Sequence, residues 1–422
     1  MKTLAQIASQ LQGYDPKALS ADAVTAFLAE LVAPVSAAED VGVFDALGRV
    51  LAGDLISPIS VPPHDNSAMD GYAFAGAQIA ADAPLQLEVV GTALAGAAWA
   101  GAVRSGQCVK IMTGAVMPPG LDTVVPQEFV ESAGPSRVIV PANAVRTGDN
   151  RRCKGEDVMQ GEPALRRGTL LGPAACGLIA SLGIAKVPVV RRLRVAYFST
   201  GDEILSLGES PREGAVYDSN RYTVFGLLTR LGCEVIDMGV VPDEPAALER
   251  AFREAALRAD AIITSGGVSV GEADYTKAMM AKLGDVAFWR IAMRPGRPMA
   301  VGRIGDAVLF GLPGNPVAVM VTFIAFVRPA LLRMMGCSAG AVPMLKAHSK
   351  EVIRKKPGRT EYQRGLVSRD ENGRLLVQTT GNQGSGVLSS MVHANGLIVL
   401  HHEQGNVAAG DEVDVLMFDG VI

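Results

Sequence analysis

The segment from Ile262 to Lys277 carries side chains that could bind a phosphorylated ligand together with a metal ion. An apolar run stops abruptly before Thr264, which is how a buried parallel strand ends in a loop. Glycines in such a loop let the backbone approach a ligand closely. The loop continues with small residues, hydroxyls, carboxylates and a lysine: Ser265, Gly266, Gly267, Ser269, Glu272, Asp274, Thr276 and Lys277. Backbone N–H groups, hydroxyls and paired acids predict a phosphate-and-metal site here.

Carboxylates also follow a glycine in the run from Ser199 to Glu203. Because like charges repel, Asp202 and Glu203 are poor direct ligands of phosphate, but they suit a Mg²⁺ ion that bridges phosphate oxygens. Asp274 fits the same reasoning. The alternative is that these acids occupy the N-cap and first turn of a helix.

Three arginines surround a Pro-Gly turn, at Arg290, Arg294 and Arg297. A guanidinium is a planar fork that can hold phosphate or a tetrahedral oxyanion such as molybdate in a bidentate way. The alternative is that the arginines pair with acids at a strand edge.

Three weaker candidates lie earlier in the chain. Asp70 stands in a polar loop after Pro62 and Pro63, where it could bind metal or substrate or simply form an Asx-rich turn. Thr113 precedes Gly114, so a hydroxyl and a backbone N–H could face an oxyanion, although Thr-Gly turns are common. Asp157 lies in a loop of mixed charge, which is either solvated or a site at a domain junction.

The elements that would position these residues change character along the chain. Helical spacing over Asp22–Val32 and Val43–Leu51 predicts a helical start, and short runs between glycines and prolines predict an all-β module. Strands then alternate with helices, including one with Ser219 as N-cap and one opened by Asp243, Glu244 and Pro245. This alternation predicts a doubly wound α/β domain with a parallel sheet. The predicted domains are 1–58 with 146–187 (helical or mixed), 59–145 (all-β), 188–335 (α/β) and 340–422 (β-barrel, with strands at Glu351–Ile353, Leu375–Thr379, Leu397–Leu400 and Glu412–Met417).

Ligands of such α/β domains bind outside the carboxyl ends of the strands. The candidate residues fall at those ends: Glu203, Asp243, the loop from Ser265 to Asp274, and the turn Pro313, Gly314, Asn315 and Pro316. Their shared location favours a single site more strongly than any one motif does.

Bulk composition excludes several classes of protein. The 422 residues are 49% hydrophobic and 19% charged with a net charge of −4, which fits neither disorder, a coiled coil nor a general nucleic-acid coat. Five scattered cysteines predict no structural zinc or disulfides, and the histidines lack a metal-ligand spacing. No P-loop or dinucleotide fingerprint is present. We expect a cytoplasmic protein, because the chain starts without a signal segment and its longest apolar run, Val317 to Val327, is too short for a bilayer.

The motifs together resemble those of the molybdopterin molybdenumtransferase family, also called MoeA, which includes the gephyrin E domain. They run in order through all the predicted domains: DNSAMDGYA at 65–73, KIMTGA at 110–115, STGDE at 199–203, YDSN at 217–220, SGGVSVGEADYTK at 265–277, FGLPGNPV at 310–317 and PGRTEYQRG at 357–365. Such a set covers nearly the whole chain.

The resemblance implies insertion of molybdate into adenylylated molybdopterin, with Mg²⁺-dependent release of AMP and molybdenum cofactor. It also implies a homodimer whose active site lies between the α/β domain of one subunit and the β module of the other. Carried over by motif, the functional positions are Asp70, Thr113, Asp157, Glu203, Asp243, Asp274, Pro313, Pro316 and Ser385. Glu203, Asp243 and Asp274 are the expected metal-associated acids.

One departure from the family is that Arg290, Arg294 and Arg297 stand where lysines are frequent, which replaces compact ammonium donors by planar forks. Two other functions remain open at this point, a molybdopterin adenylyltransferase and a non-catalytic scaffold. Expected partners are the molybdopterin adenylyltransferase and enzymes that accept the cofactor, with neither nucleic acid nor membrane involved.

Overall fold

The structure, a computed structural model, describes residues 2–11, 14–267, 275–338 and 340–422. Its helices are α1 Leu4–Gln10, α2 Ala21–Leu31, α3 Pro173–Ser181, α4 Ser219–Arg230, α5 Pro245–Arg258, α6 Tyr275–Leu283, α7 Pro316–Thr322, α8 Arg328–Met334 and α9 Ser389–His393. A π-helical turn, Phe323–Val327, joins α7 to α8.

The first part of the chain is dominated by β structure. Its strands are β1 Ala38–Gly42, β2 Leu55–Ile56, β3 Asn66–Ser67, β4 Gly71–Phe74, β5 Leu85–Ala93, β6 Gln107–Ile111, β7 Thr123–Pro126, β8 Glu131–Ser132, β9 Arg137–Val140, β10 Arg151–Arg152, β11 Pro163–Leu165 and β12 Lys186–Val190. Six of them form one sheet in the order β7-β4-β6-β5-β9-β8, which we call the β module. The others pair in two-stranded sheets that connect the module to the rest of the chain.

The α/β domain is built on a second six-stranded sheet. Its region contains β13 Arg194–Thr200, β14 Ile204–Leu205, β15 Val216–Tyr217, β16 Glu234–Val241, β17 Ala261–Ser265, β18 Asp285–Arg290, β19 Met293–Arg294, β20 Pro298–Ile304 and β21 Ala307–Leu312. The sheet order is β16-β13-β17-β21-β20-β18. Neighbouring strands from β16 to β21 run parallel, so their carboxyl ends share one edge of the sheet.

The prediction of a parallel sheet is wrong at one edge. Strand β20 pairs antiparallel with β21, and β18 pairs antiparallel with β20 at the edge of the sheet. A two-residue turn at Gly305-Asp306 reverses the chain between β20 and β21, a connection too short for a parallel crossover. Sheets of mixed direction are common in doubly wound folds.

The C-terminal region confirms the predicted β-barrel. Its strands are β22 Leu345–Ser349, β23 Thr360–Arg369, β24 Leu375–Thr379, β25 Gly396–Leu400 and β26 Glu412–Met417. The order β23-β24-β22-β26-β25 closes because β25 also pairs with β23. The strand predicted over Glu351–Ile353 is wrong. The Ser349 hydroxyl donates to Glu351 O at 2.7 Å and turns the chain there, leaving Ile353 a single bridge to Val407.

One prediction for the start of the chain also differs from the structure. The helix expected over Val43–Leu51 is only a short 3₁₀ turn, because the backbone then pairs with residues 169–171 through Gly48 and Leu51. Before that turn, α1 and α2 pack into the core of the α/β domain. Phe27 meets Trp289 edge to face with ring centroids 4.8 Å apart.

The helical run Pro316–Met334 continues beyond the apolar run Val317 to Val327. Its 19 residues are long and apolar enough to cross a membrane by length and composition alone, but 67% of it is buried inside the protein. A core helix passes the same test. Its burial against the sheet and α2 accounts for its apolar character, and its amino terminus lies at the carboxyl edge of the sheet.

Candidate functional site

A cavity of about 1100 Å³ opens at the carboxyl ends of β13, β17 and β21. Its floor includes Ser199 and Ser265, which end two of the parallel strands. The barrel contributes the opposite wall through Arg359 and the loop 383–386. The strand-end cavity therefore lies where ligands of doubly wound domains bind, and it is closed by a second domain.

The structure brings many of the predicted residues to this cavity. Those that line it are Glu203, Ser265, Gly266, Gly267, Arg294, Arg297, Pro313, Gly314, Asn315, Pro316 and Ser385. Two more, Ser269 and Asp274, lie outside the described residues. Most of the residues that the sequence pattern assigned to one site therefore lie around one cavity.

Other predicted residues lie elsewhere. Arg290 ends β18 opposite Pro298, is exposed, and donates its backbone N–H to Pro16 O at 2.8 Å. It does not line the cavity with Arg294 and Arg297, although the next residue, Ile291, donates its backbone N–H to Arg297 O at 2.7 Å. Asp157 is exposed, and its backbone N–H donates to Val61 O at 3.0 Å.

The glycine loop, Ser265 to Gly267, needs its glycines for two reasons. Gly266 and Gly267 have φ values of +90° and +64°, which side chains disfavour. A Cβ on Gly266 would stand 2.5 Å from Thr200 O, and one on Gly267 would stand 2.3 Å from the Thr276 Cβ. Any other residue at these two positions would therefore strain the backbone and collide with Thr200 or Thr276.

Beneath the glycine loop lies a buried triangle of hydroxyls. The Tyr197 hydroxyl lies 2.9 Å from Ser199 Oγ and 2.7 Å from Ser265 Oγ, and the two serine oxygens are 3.3 Å apart. Burial raises the pKa of Tyr197 well above its usual range, so its hydroxyl stays protonated. The triangle ties the ends of β13 and β17 together under the cavity floor.

We expect Tyr197→Phe to destabilise the protein by about 1 kcal/mol, because it removes two hydrogen bonds while the two serines can still pair with each other. Urea or thermal unfolding measures the change. Tyr222→Phe is the matched control, since Tyr222 is half exposed on α4. Equal stability of the two variants would contradict the role of the triangle.

Three acids cluster at the cavity edge. Burial raises the pKa of Asp243, and repulsion by Asp202 and Glu203 adds to the rise, although a hydrogen bond from Thr276 Oγ1 at 3.3 Å opposes it. Mutual repulsion among carboxylates is what a bound cation relieves. Within the described residues, no group of three or more His, Cys, Asp or Glu side chains is arranged to hold a metal ion by itself. The donor set fits Mg²⁺, which takes one or two carboxylates and completes its shell with water and phosphate oxygens.

Arginines of two domains, the α/β domain and the barrel, contribute positive charge to the cavity. Arg294 and Arg297 line it and, within the described part of the chain, neither forms an ion pair. Arg364 on β23 is 1% exposed and donates to Ser390 Oγ and Gly384 O, each at 3.0 Å, beneath the wall loop. Burial, with repulsion from Arg294, lowers the pKa of Arg364 to about 10, so it remains charged at neutral pH.

The barrel loop is tied directly to the start of α7. Asn315 Nδ2 donates to Ser385 Oγ at 3.0 Å, and Val317 N donates to Ser385 O at 3.1 Å. Ser385 therefore joins the two walls of the cavity, which gives its predicted position a structural basis.

Sequence reasoning missed three residues of this region. Asp218 and Asn220 line the cavity from the start of α4, where Asp218 rather than the predicted Ser219 is the N-cap and accepts from Arg221 N at 3.0 Å. The run YDSN before an amphipathic segment was the available signal. Arg364 stood in a recognised motif, but its burial follows only from closure of the barrel.

The β module brings two predicted residues together away from the cavity. The backbone N–H and the hydroxyl of Thr113 both donate to Asp70 Oδ1 at 2.7 Å. These bonds, the backbone one first, lower the pKa of Asp70, with a smaller contribution from Lys110. Among the described residues that line the cavity, none comes from the β module. A single chain therefore leaves this pair separate from the other predicted residues.

Comparison with known proteins gives matches over three consecutive regions. Residues 19–183 match the MoeA N-terminal region (domains I and II), residues 196–333 a probable molybdopterin binding domain, and residues 346–418 the MoeA C-terminal region (domain IV).

Curated relatives carry the same assignment. The chain is 43% identical over 379 residues to a molybdopterin molybdenumtransferase of Haemophilus influenzae, covering 90% of this chain and 93% of the relative. A molybdopterin molybdenumtransferase of Bacillus subtilis is 34% identical over 387 residues, covering 90% and 89%. A crystal structure of the molybdopterin biosynthesis MoeA protein from Pyrococcus horikoshii has a TM-score of 0.80 at 29% identity and covers 95% of this chain and all of that one.

Proposed function

The chain belongs to the MoeA family of molybdopterin molybdenumtransferases, and on that basis we propose that it inserts molybdate into adenylylated molybdopterin. The products are AMP and molybdenum cofactor. This step places the protein in molybdenum cofactor biosynthesis as a transferase.

One observation carries the proposal. A single cavity combines a glycine loop, two arginines without acid partners among the described residues, and a carboxylate at its edge, represented by Gly267, Arg294, Arg297 and Glu203. An adenylylated pterin phosphate and molybdate are both anions, so they need donors that neutralise oxyanions. The size of the cavity suits a ligand that carries both a pterin and a nucleotide.

Each group of residues has a task in this proposal. Backbone N–H groups of the glycine loop and of the start of α7, where Pro316 occupies the first turn, orient phosphate oxygens. Arg294 and Arg297 hold molybdate or phosphate as planar forks. The buried charge of Arg364 raises the positive potential of the barrel wall without exposing it to solvent.

Glu203 and Asp243 would hold Mg²⁺ in this site. When bound, the ion would polarise the oxygens of the phosphoanhydride that joins the pterin phosphate to AMP. Asp274 remains a third metal-associated acid by prediction from the sequence alone. No protein nucleophile is needed, because water can take the adenylyl group once molybdate occupies the dithiolene sulfurs.

The working form in this proposal is a cytoplasmic homodimer. Asp70 and Thr113 contact each other but not the cavity of their own chain, so a second subunit would supply them. Closed two-fold assemblies commonly share sites in this way. The supplier of the substrate would be a molybdopterin adenylyltransferase, and the consumers would be enzymes that use the cofactor.

Purified protein incubated with adenylylated molybdopterin, molybdate and Mg²⁺ should release AMP, and omission of molybdate should slow that release. Chromatography of the nucleotide measures both rates. Consumption of ATP with apo-molybdopterin would instead identify an adenylyltransferase. Absence of turnover with either substrate would favour a scaffold.

A further inference from the structure

Two buried oxygen atoms in the wall of the strand-end cavity have no hydrogen-bond partner within the described residues. They are Oδ2 of Asp218 and Oδ1 of Asn220. The two residues are only 3% and 7% exposed, and both line the cavity. Buried polar atoms are almost always satisfied, so a pair of them in residues that line a ligand cavity needs an explanation.

The surrounding contacts fix both side chains. Asp218 is the N-cap of α4, and its Oδ1 accepts from Arg221 N at 3.0 Å, which leaves Oδ2 free. Asn220 Nδ2 donates to Gly314 O at 2.7 Å. Because a carbonyl accepts only, this bond also settles which end of the amide is the oxygen. Both unpartnered atoms are therefore acceptors, held in place before any ligand binds.

A pair of fixed acceptors calls for a ligand with hydrogen-bond donors. A cation is the less suitable occupant, because Arg294 and Arg297 line the same cavity and raise its positive potential. The helix N-terminus at Asp218 also offsets part of the carboxylate charge. N–H groups of a neutral ring donate hydrogen bonds without a positive charge, so neither the arginines nor the helix N-terminus disfavours them.

The proposed substrate carries two heterocycles, and they differ in their donors. A pterin presents the ring N3–H and the 2-amino group side by side on one edge. Adenine presents a single amino group with acceptors on either side. Two acceptors at the start of one helix, both in residues that line the cavity, suit the paired donors of the pterin edge.

We propose that Asp218 and Asn220 recognise the pterin ring of the substrate and select it by its 2-amino edge. This inference rests on the proposed function for the identity of the substrate. It assigns a specificity role to two residues that have no task of their own in the proposed phosphate and molybdate contacts. Its consequence is that ring chemistry, and not phosphate charge alone, determines which molecule the cavity accepts.

The test replaces an acceptor by a donor in the protein and a donor by an acceptor in the ligand. Asp218→Asn keeps the N-cap, since asparagine caps helices as well as aspartate, but it can place an NH₂ group where Oδ2 stood. Lumazine is the matching ligand probe, because it replaces the 2-amino group of pterin with an oxygen. Pterin and lumazine are compared as competitors of molybdopterin, and AMP binding is measured separately.

Wild-type protein should prefer pterin to lumazine by about tenfold or more, since a mismatched ring leaves buried acceptors unpaired. Asp218→Asn should lose or invert that preference while its affinity for AMP stays unchanged. Asp237→Asn is the matched control. It makes the same change beside the same helix, where Asp237 pairs with Arg221, but it lies outside the cavity lining.

Three results would overturn the inference: equal competition by pterin and lumazine in the wild type, an unchanged preference in Asp218→Asn, or a loss confined to AMP or Mg²⁺ binding. Asn220→Ala should weaken pterin competition as well, with thermal unfolding as the check on its fold. Because these readouts are binding measurements, they remain interpretable if no AMP is released. Failure of the proposed function and failure of this inference are therefore distinguishable.

Discussion

Glu203→Gln should lower AMP release by roughly a hundredfold or more, because it removes a carboxylate proposed to hold the Mg²⁺ ion that polarises the phosphoanhydride. Glu203 is exposed at the edge of the strand-end cavity and belongs to the acidic cluster with Asp202 and Asp243. Glutamine keeps the shape of the side chain but not its charge. The effect should therefore fall on turnover and on the Mg²⁺ concentration needed, not on folding.

The measurement is the steady-state rate of AMP release at several Mg²⁺ concentrations, with thermal unfolding of each variant. Glu213→Gln is the matched control, since Glu213 is an exposed acid in the connection between β14 and β15, a short distance along the chain from Glu203. It should behave like wild type. A rate for Glu203→Gln within a few fold of the control would remove Glu203 from the proposed metal site.

Sequence patterning predicted most of the elements that position this site. The strands ending at Thr200 and Ser265 were expected because continuous apolar runs stop at glycine-containing loops, and the structure confirms their place at one sheet edge. Local chemistry was enough in these cases. The fold class follows from the same alternation of strand and helix.

The features that sequence missed depend on contacts between distant segments. Arg290 ends β18 opposite Pro298 and does not line the cavity with Arg294 and Arg297, an outcome of strand pairing that no local pattern specifies. Burial of Arg364 needs the closed barrel. Ser385 reaches Asn315 only because two domains meet. Such relations arise from tertiary packing, for which one sequence carries no direct signal.

The position of Asp70 bears on whether the active site forms within one chain or between two subunits. The motif resemblance assigns it to the same active site as Glu203, yet within one described chain it pairs with Thr113 in the β module, away from the cavity lining. The motif assignment of Asp70 and its position in the β module agree with each other if the active site forms between two subunits. A dimer of this kind makes a quantitative prediction about mixed variants.

Asp70→Asn and Glu203→Gln should each be nearly inactive alone, and equal mixing of the two should restore about one quarter of the wild-type rate. Half of randomly assembled dimers contain one subunit of each kind. In each mixed dimer, one site joins an intact β module to an intact cavity, while the other site carries both substitutions. Co-expression with two affinity tags isolates the mixed dimer, which should show about half of the wild-type rate.

Glu203→Gln combined with Arg294→Ala is the matched control, because both changes lie in the cavity of the α/β domain. Mixed dimers of that pair contain one damaged cavity in each site, so no activity should return. Recovery in the first mixture but not in the second places Asp70 and Glu203 on different subunits of one site. If both mixtures stay inactive although mixed dimers are isolated, the site lies within one chain, and Asp70 must reach the cavity by a rearrangement of the β module.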